Sequence, residues 1–295
     1  MQNLDDIKRR IKSIKEIRHI TKAMSMLSTI RFKQAERRIE QARPFAKSIS
    51  EVLVDIARLA GEGHHPLMAV RTGGRSAIVL FTSDRGLCGP FNDDVIKLAF
   101  DYISENALSG NVDFLVVGKV GRDALLSKGF QPLEEYLRPG KRPTFALATR
   151  IAADVMKLFL EEKIDQALLV YSRFYSSFEQ RPRVFRLLPM IPLEDGQENR
   201  GASREGTCLF EPSEESILGH LVPRYVETEI YRALLESYAG EQAARLTAMS
   251  AATDNADRMI RELTLLYNRS RQSEITEELA EIIGGSEALL EEGLR

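Results

Sequence analysis

The chain has 295 residues, 43% of them hydrophobic, with 41 basic and 43 acidic side chains for a formal net charge of −2. That length supports one large domain or two modest ones around a real core, and no run of about 18 or more apolar residues is present to span a bilayer. Two cysteines, Cys88 and Cys208, stand far apart in unlike contexts, which argues against both a disulfide framework and a metal site.

The opening Met1-Gln2-Asn3-Leu4-Asp5-Asp6 lacks the basic-then-apolar order of a secretory signal and the arginine-rich character of an organelle presequence. A cytosolic protein, of a bacterium or similar compartment, is expected. Asn3 is placed to cap a helix, with Asp5 and Asp6 in its first turn where carboxylates suit the helix dipole. Apolar residues then fall at Leu4, Ile7, Ile11, Ile14, Ile17, Ile20, Met24 and Leu27, steps of three and four that predict one stripe along a helix. Only Pro44 interrupts before Gly61-Glu62-Gly63, so a helix is expected to about residue 58, bent or not at the proline. At 1.5 Å per residue it would be ~80 Å long, more than a globular domain needs.

The pattern changes at Thr72-Gly73-Gly74. Ala77 to Phe81 is a continuous apolar run that predicts a buried strand, followed by the turn Asp84-Arg85-Gly86-Leu87-Cys88-Gly89-Pro90-Phe91-Asn92 and a helix through Val95, Leu98, Ala99 and Tyr102. Val112 to Val117 predicts a second strand, Gly118 to Lys128 a turn and helix, residues 144–162 a longer helix, and Ala167 to Tyr171 a third strand. This alternation argues for a mainly parallel sheet with covering helices. Arg183 to Leu188 reads as a further strand, forming a hairpin with the one before it through Ser176-Ser177, and residues 193–210 as a mobile polar loop.

Pro212-Ser213-Glu214-Glu215 announces the last helix, expected to run to Gly284-Gly285, with Pro223 allowing a bend or restart. Its apolar stripe, Leu234, Tyr238, Leu246, Met249, Ala256, Ile260, Leu263, Tyr267, Ile275, Leu279 and Ile282, is dilute, and alanines crowd residues 239–256. A slim helix of that kind favours close pairing in a coiled coil. Charge points the same way. Residues 1–50 carry 13 basic and 5 acidic side chains, whereas residues 211–295 carry 8 and 17. The fold class expected is therefore α/β: an antiparallel coiled coil of the N- and C-terminal long helices with an inserted Rossmann-like α/β domain. Its divisions would be a coiled-coil helix over 1–60, an α/β foot over 72–192, a mobile loop over 193–211 and a coiled-coil helix over 212–285.

Candidate chemistry is sparse. The Gly86-Leu87-Cys88-Gly89 turn follows the first strand, where doubly wound folds bind phosphates, but it matches neither the dinucleotide fingerprint nor the phosphate loop, and Pro90 removes one N–H donor. A structural turn is the preferred reading. Cys88 has no histidine near it in sequence to act as a base, and His64-His65 offers two diverging side chains without a third ligand, so no catalytic residue, metal or cofactor is assigned. The basic run Lys8-Arg9-Arg10, Lys12, Lys15, Arg18 and Lys22 leaves open a coiled-coil nucleic-acid-binding protein with an α/β domain. A face that meets acidic protein loops or the acidic last helix is preferred, because no aromatic or base-reading pattern is interleaved.

Four segments then become specific together. Asp6-Ile7-Lys8-Arg9-Arg10-Ile11-Lys12-Ser13-Ile14-Lys15 with Ile20-Thr21-Lys22-Ala23-Met24, then Ser83-Asp84-Arg85-Gly86-Leu87-Cys88-Gly89, then Ala248-Met249-Ser250-Ala251-Ala252-Thr253-Asp254-Asn255-Ala256, and last Tyr267-Asn268-Arg269-Ser270-Arg271-Gln272 with Ile275-Thr276, resemble the gamma subunits of F-type ATP synthases from end to end. The resemblance implies a non-catalytic central rotor stalk. Its partners would be the alpha and beta subunits of the catalytic hexamer, the epsilon subunit and the membrane c-subunit ring, on the cytoplasmic side of a bacterial membrane as a peripheral protein.

By the same resemblance Arg271 and Gln272 would catch a beta-subunit loop, Lys22 and Met24 would face the beta-subunit lever region, and Lys8 and Arg9 would be partner contacts. The sequence departs from the family at Gly89-Pro90-Phe91-Asn92, where Gly-Gly-Leu-Asn is common, and at Thr29-Ile30-Arg31-Phe32-Lys33, where small residues are. No dithiol insert like that of chloroplast versions is visible, so redox control through such a loop is not expected.

Overall fold

A computed structural model describes residues 4–60, 65–71, 73–106, 108, 111–137, 142–176, 179–190 and 214–292. The polar loop expected at 193–210, with Cys208 in it, and His64 lie outside these. The elements are α1 (Leu4–Ala60), β1 (Ser76–Phe81), α2 (Phe91–Glu105), β2 (Val112–Val117), α3 (Lys119–Ser127), β3 (Glu134–Tyr136), α4 (Phe145–Leu160), β4 (Gln166–Phe174), β5 (Gln180–Leu188) and α5 (Glu214–Glu292). Two compact units result, Met1–Leu27 with Leu246–Arg295, and Ser28–Arg245.

In the unit spanning 28–245, five strands form one sheet in the order β3-β2-β1-β4-β5. All neighbours are parallel except the β4–β5 hairpin. β1 is buried at every position because both of its faces are covered, which is why it reads as a continuous apolar run. Ile78 and Leu80 face α2 and α3 through Val95, Ala99, Ile103 and Leu125. Ala77, Val79 and Phe81 face α4 and the first half of α5, with Ile151, Val155, Phe159, Val222, Val226 and Ile230. β3 was not expected. It has three residues, two of them exposed glutamates, so no apolar run marks it, and only its pairing with β2 makes it a strand.

Where β1 begins, Asp165 is buried and its carboxylate accepts from the backbone N–H of Arg75 at 2.9 Å and from the Arg75 guanidinium at 3.3 Å. These bonds, the backbone one first, hold its pKa below the usual aspartate value. A depressed carboxylate contributes stability above its unfolded pKa and loses it as pH falls through the folded one. Asp165→Asn is thus expected to lower stability by about 1–3 kcal/mol at pH 7. Urea titrations at pH 7 and pH 3 check this: the gap between variant and parent must narrow at the lower pH, and a pH-independent gap would refute the charge argument.

In the other unit, α1 and α5 pair. Arg18 donates to Asp257 at 3.1 Å, and Thr21, three residues on, accepts from Thr253, four residues back, at 2.8 Å. The helices are antiparallel. Ile7, Ile11, Ile14, Arg18 and Thr21 lie toward α5, a strict alternation of fours and threes, and Met249, Thr253, Ala256, Ile260, Leu263 and Tyr267 answer it. The expected apolar stripe is correct only through Ile14. Ile17, Ile20 and Leu27 are 52%, 60% and 46% exposed, because the heptad step carries the seam to their polar neighbours instead. A polar seam fixes register, since a slip would bury Arg18 and Thr21 without partners.

Candidate functional site

In a doubly wound sheet the ligand crevice lies beyond the carboxyl ends of the strands where the connections reverse, here between β1 and β4. The turn after β1 is at that place. Its backbone is organised by three buried polar residues. Asn92 accepts from the Ser83 N–H at 2.9 Å and donates to the Ser83 hydroxyl at 2.8 Å and to the Cys88 sulfur at 3.1 Å. The Ser83 hydroxyl in turn donates to the Arg85 carbonyl at 2.7 Å. Burial pushes the Cys88 thiol above its ordinary pKa, the reverse of what a nucleophile needs.

The crevice itself is filled by α5. Gly240 lies so close to Phe91, Ser172 and Gln180 that a Cβ there would be 3.4 Å from each. One turn on, Arg245 donates to the carbonyls of Arg85 and Gly86 at 3.1 and 3.3 Å and to Glu241 at 2.7 Å. Both members of that ion pair are buried. The turn therefore turns carbonyls inward to an arginine of its own chain. That arrangement suits a joint between sheet and helix and is wrong for holding a phosphate, which needs N–H donors. Leu87 sits at the tip with a left-handed backbone and 64% exposure. Neither Glu241 nor Arg245 was singled out from the sequence, although a Glu and an Arg four apart among alanines is a readable signal.

The second feature is the paired-helix unit. Lys8, Arg9 and Lys22 are exposed and Met24 is half-buried. Arg9 is bonded to Asp6 at 2.6 Å, within its own helix. Lys8, Arg9, Arg10, Lys12 and Lys15 all face solvent, so within the basic run it is Arg18, paired with Asp257, that carries charge attraction to α5. Continued at the observed register, Leu4 comes level with the 270–271 turn of α5. The burial agrees, for every residue from Arg271 to Ser286 is exposed. Arg271 and Gln272 thus begin a stretch of single helix that carries Ile275, Leu279, Ile282 and Ile283 in the open. They share an end of the unit with Lys8 and Arg9, while Lys22 and Met24 lie several turns away.

Among the described residues no cluster of His, Cys, Asp or Glu has metal-binding form, and no helix is long and apolar enough to cross a membrane. His65 is occupied locally, accepting from the Leu67 N–H at 3.2 Å.

A family model described as ATP synthase matches residues 3–289. The chain is 42% identical to the ATP synthase gamma chain of Heliobacterium modesticaldum, covering 98% of this chain and all of that one, and 41% identical to that of Halothermothrix orenii over the same shares. Among solved structures, the central stalk and c-ring of Tetrahymena thermophila mitochondrial ATP synthase matches with TM-score 0.60 at 26% identity, over 79% of this chain and 99% of that one. A chain of the Euglena gracilis mitochondrial ATP synthase, OSCP/F1/c-ring in rotational state 3, shares the fold with TM-score 0.66 at 22% identity, over 97% and 94%.

Proposed function

Because the chain belongs to the ATP synthase gamma-chain family, we propose that it is the non-catalytic central-stalk subunit of an F-type ATP synthase, coupling rotation of a membrane c-ring to conformational change in catalytic beta subunits. The observation that carries this reading is the stretch of α5 from Arg271 to Ser286, which runs on beyond α1 with every residue exposed. A single amphipathic helix of that length, with four large aliphatic side chains in water, is built to be enclosed by other chains.

The physics of coupling is differential contact. A helix pair has no threefold symmetry, so it meets three chemically identical catalytic subunits with three different faces. Each contact favours one conformation of the subunit it touches, only by as much as it binds that conformation better. The α/β unit, with its crevice closed by its own helix, would stand on the c-ring and meet the epsilon subunit, and the assembly would sit peripherally on the cytoplasmic side of a bacterial membrane.

Within this reading Arg271 and Gln272 catch a beta-subunit loop, Lys22 and Met24 face the lever region, and Lys8 and Arg9 add contacts at the Arg271 end. Exposed polar contacts are worth about 0–1 kcal/mol each. Arg271→Ala with Gln272→Ala is accordingly expected to lower coupled turnover by no more than roughly thirtyfold, with assembly intact. Reconstitution with alpha and beta subunits tests both levels. Unchanged assembly and turnover without this chain would end the stalk reading, and parental turnover in the double variant would remove the catch role alone.

A further inference from the structure

Where α5 meets the end of β4, in the unit spanning 28–245, the buried charges do not balance. Glu229 and Glu236 lie two helical turns apart on α5, with side chains 4% and 9% exposed, and Arg232 stands between them. Arg232 closes a 2.7 Å bond with Glu229. Its Nε is 3.9 Å from Glu236, beyond hydrogen-bond reach, and is buried without a hydrogen-bond partner among the described residues. One guanidinium thus bonds one carboxylate and only attracts the other. Glu236 accepts instead from the Phe174 N–H, at a long 3.4 Å. Glu241, on the same helix and with its side chain 10% exposed, shows the contrast, since it accepts from Arg245 at 2.7 Å and from Gln242 at 3.2 Å.

The other groups around Glu236 do not make up the difference. Arg43 of α1 is exposed and Arg173 of β4 half-buried, so solvent screens what they add. Tyr171 of β4 is neutral, pushed up to about 12 by burial first and by the Glu236 charge second, with Arg232 and then Arg183 of β5 acting the other way. Burial outweighs Arg232, the Phe174 N–H, Arg173 and Arg43, and lifts the Glu236 carboxyl above the ordinary glutamate range.

We propose that Glu236 is a proton-binding site of the α/β unit, taking up a proton as its surroundings acidify, and that the joint of α5 with β4 and α1 is tighter with that proton bound than without it. The joint is well defined: Phe174, whose N–H bonds Glu236, meets Phe32 of α1 edge to face at 5.6 Å and packs with Leu235 and Tyr238 of α5. The folded chain holds the proton more tightly than the unfolded one. Stability from this site is therefore full below the unfolded glutamate pKa and is lost as pH rises through the folded one, opposite in sign to Asp165. Every group involved belongs to this chain, so the site stands or falls apart from the stalk reading.

The full-length chain carrying glutamate labelled with carbon-13 at the δ-carboxyl tests this by NMR between about pH 3 and pH 9. The resonance missing from Glu236→Gln identifies the site, and Glu236→Asp serves the assignment if the glutamine variant does not fold. That resonance is expected to titrate above ~4.3, the ordinary glutamate value. Glu229→Gln frees Arg232 for Glu236 and should lower the midpoint, a response that a merely structural carboxylate would not give. In urea titrations the unfolding constant of the parent relative to Glu236→Gln should rise with pH, by at most about tenfold per pH unit. A midpoint at or below ~4.3, a midpoint indifferent to Glu229→Gln, or a ratio that stays flat or falls with pH would each overturn the proposal.

Discussion

Replacing Arg245 by alanine is expected to cost roughly 3–5 kcal/mol of folding stability, the range for removing one member of a buried ion pair. The guanidinium does two things at once. It neutralises Glu241, whose side chain is only 10% exposed, and it satisfies the Arg85 and Gly86 carbonyls at the turn after β1. Alanine removes the 2.7 Å bond to Glu241 and both donors to the turn. Lysine should be intermediate, keeping the charge but not the planar fork that reaches two carbonyls and a carboxylate together. Urea unfolding of the three proteins checks the order. Glu241→Ala in the Arg245→Ala background should cost less than Glu241→Ala alone, because the pair acts as a unit. A loss below about 1 kcal/mol for Arg245→Ala would show that the joint between helix and sheet lies elsewhere.

What could be read from the amino-acid sequence follows from the range of the forces involved. β1, β2 and β4 were legible because burial on both faces turns a strand into an unbroken apolar run, and that is a local property. β3 was not, since its only claim to be a strand is pairing with β2. The α1 seam was legible through Ile14 and then misplaced. Beyond that point apolar Ile17, Ile20 and Leu27 outcompete Arg18 and Thr21 in any hydrophobic pattern, while Asp257 and Thr253 decide the outcome from the other helix. The turn was visible as a motif, but its meaning depends on Arg245, 160 positions away.

Lys8, Arg9, Lys22, Met24, Arg271 and Gln272 are a different case. Their proposed partners belong to other chains, so the structure of one chain places them at the surface and goes no further. Exposure is a condition for the proposed contacts and is met by five of the six, with Met24 half-buried. The family resemblance chose these residues, and no energy within this chain would have.

A glycine outside the motif also shapes the turn. Gly118→Ala is expected to destabilise the fold by roughly 2–6 kcal/mol, from a left-handed backbone that side chains resist and a clash that overpacks the strand ends. Gly118 has φ +98°, and a Cβ on it would stand 2.3 Å from the Thr82 carbonyl oxygen, which is backbone and cannot swing aside. Thr82 is tied to its neighbours on several sides: its N–H and hydroxyl donate to the Val117 carbonyl at 2.8 and 3.0 Å, and the hydroxyl accepts from the Gly121 N–H at 2.9 Å. Moving it displaces Ser83 and with it the start of the turn that Arg245 grips from the far side. Gly86, by contrast, has nothing within 4 Å of where its Cβ would be, so Gly86→Ala should change stability by no more than about 0.5 kcal/mol. Denaturant titrations of the two variants decide the matter. If Gly86→Ala were the costlier, the turn would be held by its own glycine backbone rather than by strand ends on one side and a buried arginine on the other.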